Sequence, residues 1–392
     1  EGRLPPSDAV KAEEFINYFN YDYPKPDHAQ TPFSVTTEVA ASPWTQGKHL
    51  LQVGLKGFAP EATERPAANL VFLIDVSGSM NNPQKLGLVK KSLRLLVNQM
   101  RPQDRIALTV YAGAAGIVLA STPGDQKATI LSALDNLNAG GSTHGSAGIQ
   151  LAYDVAQQHF IKGGINRVFI ASDGDMNVGT VNHEALKDLI KSKRDKGIAL
   201  TTLGYGSGNY NDALMEQLAD VGNGNAAYID SLREAQKVLV NEMQSTLLTI
   251  AKDVKIQIEF NPEQVSEYRL IGYQNRILKD EDFNNDKVDA GDIGAGHTVT
   301  ALYEIALTDS KAEQLPSLRY QPQSATNTKA INNSNELAFI KLRYKMPNTD
   351  NSIQLSQAVT LNQVKANFAQ ASDNLKFASA VAASAQLLSH GH

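Results

Sequence analysis

Leu70-Val71-Phe72-Leu73-Ile74 runs directly into Asp75-Val76-Ser77-Gly78-Ser79. Five consecutive apolar residues leave no polar face, as in a parallel strand covered on both sides. Downstream, Leu86, Val89, Leu93, Leu96 and Met100 recur at steps of three and four. That spacing predicts an amphipathic helix with one apolar stripe. A buried strand, a polar loop and such a helix form the repeating unit of an open α/β sheet.

The pattern repeats outward from this point. Residues 106–111 and 117–120 read as strands joined by a short Gly/Ala-rich link, which predicts a hairpin. A helix is predicted near 146–160, a buried strand at 168–171 and a helix at 183–196. A strand at 198–203, a helix at 212–220 and a short strand at 226–229 follow. Ser231 with Glu234 forms a capping-box pattern, predicting a helix that runs to about 250. The fold class is therefore α/β, a doubly wound and mostly parallel sheet over residues 67–250.

The flanks differ. Residues 1–66 carry a short helical pattern (Val10, Phe15, Ile16, Phe19) and two strand candidates, 33–40 and 49–55. Residues 251–360 are β-rich: Val254–Phe260, Thr298–Leu307 and Leu337–Tyr344 alternate with period two. The links 282–292 and 321–335 are polar and Asn-rich, and read as loops. Residues 361–392 form a helical segment, with Leu375, Phe377, Val381 and Leu387 on the tail helix. Two strands alone bury too little to be stable, so 33–40 and 49–55 are expected to join the later β-rich, sandwich-like domain. The α/β domain is then an insertion in it.

Composition narrows the function. The 392 residues include 36 Lys+Arg and 41 Asp+Glu, a net charge of −5. This is not the balance of a generally basic nucleic-acid binder. With no cysteine, thiolate metal sites, disulfides and a Cys nucleophile are excluded. No apolar window is long enough for a transmembrane helix. The chain opens Glu1-Gly2-Arg3 without Met and reads as a mature form or an internal fragment. An anchor or leader would lie upstream.

Three polar loops fall at carboxyl ends of strands, where open α/β sheets collect function. Asp75-Val76-Ser77-Gly78-Ser79 follows the first strand, Gly141-Ser142-Thr143 precedes the helix at 146, and Ser172-Asp173-Gly174 follows the strand 168–171. Together they offer two carboxylates, Asp75 and Asp173, and three hydroxyls, Ser77, Ser79 and Thr143. Hard oxygens of this kind suit Mg²⁺, Mn²⁺ or Ca²⁺ rather than zinc. Two carboxylates balance one divalent charge, and such an ion stays electrophilic enough to take an external carboxylate. The same residue types in strand-to-helix loops also serve as helix N-caps.

Asp-x-Ser-x-Ser at 75–79, Gly-Gly-Ser-Thr at 140–143 and Ser-Asp-Gly-Asp-Met-Asn-Val-Gly at 172–179 resemble a von Willebrand factor type A domain. The resemblance implies a metal-ion-dependent adhesion site built from Asp75, Ser77, Ser79, Thr143 and Asp173. Glu14-Phe15-Ile16-Asn17-Tyr18-Phe19 before the domain and Leu375-Lys376-Phe377-Ala378-Ser379-Ala380-Val381-Ala382 after it resemble the bacterial YfbK-like family. That resemblance implies an exported, periplasmic or cell-envelope protein, often a lipoprotein. The expected function is a non-enzymatic, Mg²⁺-dependent binding module whose protein partner presents an exposed Asp or Glu.

Two other readings stand beside it: a metal-assisted hydrolase, and an envelope scaffold with a vestigial site. A hydrolase needs a general base, and only Asp175 and His144 lie near the ligands in sequence. No Gly-x-Ser-x-Gly elbow surrounds Ser77 or Ser79, and no P-loop is present. Gly204-Tyr205-Gly206-Ser207-Gly208-Asn209 reads as a tight turn. Lys187, Lys191, Lys193, Arg194 and Lys196 read as a solvated helix face, Trp44 as a core or edge anchor, and His390 and His392 as a frayed end.

Overall fold

The structure is a computed structural model. It describes residues 10–61, 64–112, 114–140, 145–174, 183–206, 212–273, 283, 291–308, 310, 335–347, 349 and 351–390. The chain divides into two compact units. One joins residues 1–59 to 249–392, and the other is Pro60–Leu248.

The first unit opens with α1 (Ala12–Asn17), β1 (Phe33–Ala41) and β2 (Lys48–Gly57). The second unit contains β3 (Ala68–Asp75), α2 (Leu86–Gln99), β4 (Arg105–Tyr111), β5 (Ala115–Pro123), α3 (Lys127–Asp135) and α4 (Gly145–Gln158). It continues with β6 (Ile165–Ser172), α5 (His183–Arg194), β7 (Ala199–Tyr205), α6 (Asp212–Val221), β8 (Ala226–Ile229), α7 (Leu232–Gln236) and α8 (Met243–Leu247). The chain re-enters the first unit with β9 (Thr249–Phe260), β10 (Val265–Leu270), β11 (Gly291–Gly294), β12 (Thr298–Leu307), β13 (Glu336–Lys345), β14 (Ser352–Thr360), β15 (Val364–Lys365) and α9 (Asp373–His390).

The second unit is the α/β sheet, in strand order β5-β4-β3-β6-β7-β8. All its pairings are parallel except the β4–β5 hairpin. Every residue of β3 is buried, because its alternate side chains enter two different cores. Leu70, Phe72 and Ile74 meet Val89, Leu93, Leu96 and Val97 of α2 with Ile130 and Leu134 of α3. Val71 and Leu73 meet Ile149, Ala152 and Tyr153 of α4 with Leu186 and Ile190 of α5. Helices on both faces make the sheet doubly wound. The first of these cores stacks Phe72 on Phe169 with centroids 4.6 Å apart.

The helix predicted from 231 to about 250 is not continuous. Ser231 Oγ accepts from Glu234 N at 3.2 Å and caps α7. A π-helical turn, Lys237–Asn241, then interrupts the ladder before α8. Thr249-Ile250-Ala251 already belongs to β9, where Thr249 and Ala251 pair with Gly294 and Ile293 of β11.

In the first unit, β10-β12-β2-β1-β15 form one sheet and β11-β9-β13-β14 another. The chain-distant strands β2 and β12 pair antiparallel in full register, Leu51 opposite Tyr303. Val39, Leu51, Val53 and Ile305 of the first sheet share a core with Leu337, Ile340 and Val359 of the second, a sandwich. The opposite face of the five-stranded sheet, through Ala40, Leu50 and Leu302, is covered by Ile16 of α1 and by Leu375, Ala378 and Ala382 of α9. Trp44 lies partly buried in this layer and donates Nε1–H to Glu304 Oε1 at 3.1 Å. Most of the links 282–292 and 321–335 lies outside the described residues, but 291–294 forms β11.

Candidate metal centre

Strand order places the candidate residues. After β3 the chain moves to β4 on one side, and β6 lies on the other, so the sheet's switch point falls between β3 and β6. A crevice opens at such a point beyond the carboxyl ends of the strands. Asp75 is the last residue of β3, and Asp173 follows the last residue of β6. Ser77 stands two residues past β3, and Ser79 lies in the 3₁₀ turn Gly78–Met80.

Asp75 is fully buried and Ser77 and Asp173 nearly so, whereas Ser79 is exposed. The Asp75 carboxylate is held on both oxygens. Ser77 N donates to Oδ1 at 2.8 Å. Tyr111 Oη and Ser172 Oγ donate to Oδ2 at 3.1 and 3.2 Å. Tyr111 is in reach because it ends β4 directly opposite Asp75 in the parallel register. Ser172 Oγ also accepts from Gly174 N at 3.1 Å, tying the Asp173 loop to the Asp75 carboxylate.

Burial pushes the Asp75 carboxyl above its ordinary value. Hydrogen bonds from Ser77 and Tyr111 oppose the rise, and the charge of Asp173 adds to it. Burial and the neighbouring Asp75 charge push the Tyr111 phenol well up, so it stays a donor. Lys85 meets one of these carboxylates: its Nζ donates to Asp173 Oδ2 at 2.7 Å. A desolvated carboxylate facing a second one attracts a cation.

The donor set fits a small hard ion. Ser77 Oγ and Ser79 Oγ share a hydrogen bond of 3.1 Å. Adjacent ligands of an octahedron with ~2.1 Å bonds stand about 3.0 Å apart, so these hydroxyls are spaced as neighbours on one ion. With two carboxylates, the set is hard oxygen only. The structure thus brings together Asp75, Ser77, Ser79 and Asp173. Thr143, with His144 and Asp175, lies outside the described residues.

Tyr111, Ser172 and Lys85 complete the neighbourhood, although no motif names them. Counting back from the end of β4 would have found Tyr111, since it is the residue level with Asp75. On α5, Lys187 pairs with Glu184, Lys193 reaches Asp154 and Gln157, and Arg194 pairs with Asp195. Lys191 and Lys196 are exposed as expected, but Lys193 is buried, its ammonium held by Asp154 and Gln157, so it departs from the solvated face read from the sequence. Among the described residues no helix is long and apolar enough to cross a membrane.

Family models match along the chain: "von Willebrand factor" over residues 1–52, "von Willebrand factor type A domain" over 69–245, and "Uncharacterized protein YfbK, C-terminal" over 245–392. "Uncharacterized protein YfbK" of Escherichia coli (strain K12) is 46% identical over 396 residues, covering 99% of this chain and 67% of that protein. Human inter-alpha-trypsin inhibitor heavy chain H3 is 25% identical over 272 residues, covering 64% of this chain and 30% of that protein. Among solved structures, a von Willebrand factor type A protein from Catenulispora acidiphila aligns over 88% of this chain and 76% of its own, at 15% identity and a TM-score of 0.46. With near-complete coverage at 46% identity and the type A model over its α/β unit, the chain belongs to the YfbK family and carries a von Willebrand factor type A domain.

Proposed function

We propose that the chain is a non-enzymatic binding module that captures an acidic side chain of a protein partner through a divalent cation. The observation that carries the reading is the buried pair Asp75 and Asp173 at the switch point, with Ser77 and Ser79 beside them. Asp75, Ser77, Ser79 and Asp173 would hold the ion, with Thr143 as a fifth ligand. When bound, Mg²⁺ (or Mn²⁺ or Ca²⁺) supplies an electrophilic position open to an external carboxylate.

The chain's own residues make that position selective. Asp75 and Asp173 balance the two charges of the ion without exceeding them, so the ion stays electrophilic enough to take an external carboxylate as a ligand. Ser77 and Ser79 contribute oxygens without charge. Tyr111 and Ser172 fix the plane of the Asp75 carboxylate, which preorganises the site as outer-shell partners do. Partner binding on this reading is carboxylate-specific and chelator-sensitive. The cell envelope is the proposed location, with a lipid anchor outside this chain. Partners are proteins rather than nucleic acid.

The test is retention of envelope proteins on the immobilised chain in Mg²⁺, in EDTA, and on the Asp173→Ala variant. Partners should elute with EDTA, rebind with Mg²⁺, and fail to bind Asp173→Ala. Retention indifferent to both chelation and the substitution refutes the reading.

A further inference from the structure

The cation on Asp173 belongs to the chain itself. Lys85 stands one residue before α2, where Val89 N donates to its carbonyl at 2.9 Å and its own N–H donates to Asn82 O at 3.0 Å. The backbone is therefore fixed at the helix start. From there the side chain runs to Asp173, 88 residues further on, and Nζ meets Oδ2 at 2.7 Å. Its side chain is 22% exposed and that of Asp173 only 4%.

The route of the stem is prepared. Gly206 directly follows β7, the strand beside β6, and has φ +102°. A Cβ there would come within 2.8 Å of Lys85 Cγ and 3.0 Å of Cε. The bare backbone of Gly206 leaves a lane for the aliphatic stem, so Lys85 lies in a defined place rather than sweeping through solvent.

The charges then conflict. Among the described residues, Asp75 and Asp173 sum to −2, and with Lys85 on Asp173 the three sum to −1. A divalent ion arriving beside the ammonium meets like charge and finds one Asp173 oxygen taken. If Lys85 stayed, the loaded site would be +1; if it leaves, the site is neutral. An ammonium on a flexible four-carbon stem is able to leave, and the open side of the pair gives it water to move into.

We propose that Lys85 is a tethered counter-cation that occupies Asp173 in the metal-free protein and is displaced by the divalent ion, so that it sets the affinity of the site for metal. This rests on the metal-site reading above. In the free protein the pair keeps a buried carboxylate compensated. On loading, Asp173 exchanges one cation for another. Lys85 is thus a positioning residue for Asp173.

The experiment is a Mn²⁺ titration of the full chain, with free Mn²⁺ read by electron paramagnetic resonance, on wild type, Lys85→Met, Lys85→Arg and Asp173→Ala. Removing a partly shielded ionic competitor should tighten Mn²⁺ binding about tenfold in Lys85→Met. Lys85→Arg keeps a cation and should stay near wild type. In EDTA, Lys85→Met should melt below wild type, and Mn²⁺ should raise its midpoint by more. Equal or weaker binding by folded Lys85→Met overturns the proposal. A second measurement needs no substitution: the Lys85 Cε signal, followed by NMR in the unmutated protein, should move to the free-lysine position on saturation with Mg²⁺. A signal unmoved by saturating Mg²⁺ overturns the proposal too. Asp173→Ala separates the failures. If it binds Mn²⁺ as wild type does, the site assignment falls and takes Lys85 with it. If it loses binding while Lys85→Met gains nothing, only the Lys85 proposal falls.

Discussion

Asp75→Asn tests whether Asp75 is kept for chemistry or for structure. Asparagine has the same shape, and its Oδ1 can still accept from Ser77 N. Its Nδ2 would face Tyr111 Oη and Ser172 Oγ, two hydroxyls that accept as well as donate. The Ser77 bond survives and the two hydroxyls must turn to accept, while a fully buried charge facing Asp173 is removed. In chelator the variant should therefore gain about 1 kcal/mol, a rise of roughly 2–4 °C for a unit of this size. In Mg²⁺ the order should reverse, because losing one of two ligand charges weakens the ion on the order of 100-fold. Trp44, the chain's one tryptophan, lies in the other unit. The transition of Pro60–Leu248 should therefore be followed by calorimetry rather than by tryptophan emission. An Asp75→Asn midpoint several degrees below wild type in EDTA would instead make Asp75 a structural cap.

Other outcomes follow from the packing. Gly54→Ala places a Cβ 2.3 Å from Tyr23 Cζ, displacing a buried ring whose hydroxyl bonds Thr300 Oγ1 at 2.7 Å. It should cost about 3 kcal/mol by urea denaturation, with much of the loss absent in a Tyr23→Ala background. Asp104 is buried, which pushes its carboxyl up, but hydrogen bonds from Arg101, the charge of Arg65 and the Ala68 N–H outweigh this and hold it below its ordinary value. Asp104→Asn should cost about 3 kcal/mol at neutral pH. Because the folded-state value is depressed, that difference should be constant above about pH 5 and shrink as pH falls below about 4, as acid melting curves will read. A fragment of residues 251–392 lacks β2, the strand flanked by β1 and β12. It should show no cooperative melt and no dispersed NMR spectrum.

What was legible in the sequence was whatever a local pattern could carry. The β3 run is continuous because both faces are buried, and the α2 stripe is periodic because one face is. Lys127–Asp135 escaped notice as a helix because it buries only Ile130 and Leu134 and leaves little stripe to count. Ser352–Thr360 escaped because, at the edge of its sheet, it buries only Val359 and its alternation is blurred. The break at Lys237–Asn241 has no composition signal, and the end at Leu247 is imposed by the pairing of β9 with β11, which starts at Thr249. At the site, Asp75, Ser77, Ser79 and Asp173 stand in loops whose position follows from strand ends. Tyr111 and Lys85 reach the same carboxylates through strand register and side-chain length, which no window of sequence contains.

Asp75, Ser77, Ser79 and Asp173 are proposed to hold one divalent cation. Titration calorimetry with Mg²⁺ and Mn²⁺ on the full chain and on Asp173→Ala tests it most directly. The wild-type chain should show one site, and Asp173→Ala should lose it, with both proteins folded. Equal affinity in the two proteins would contradict it.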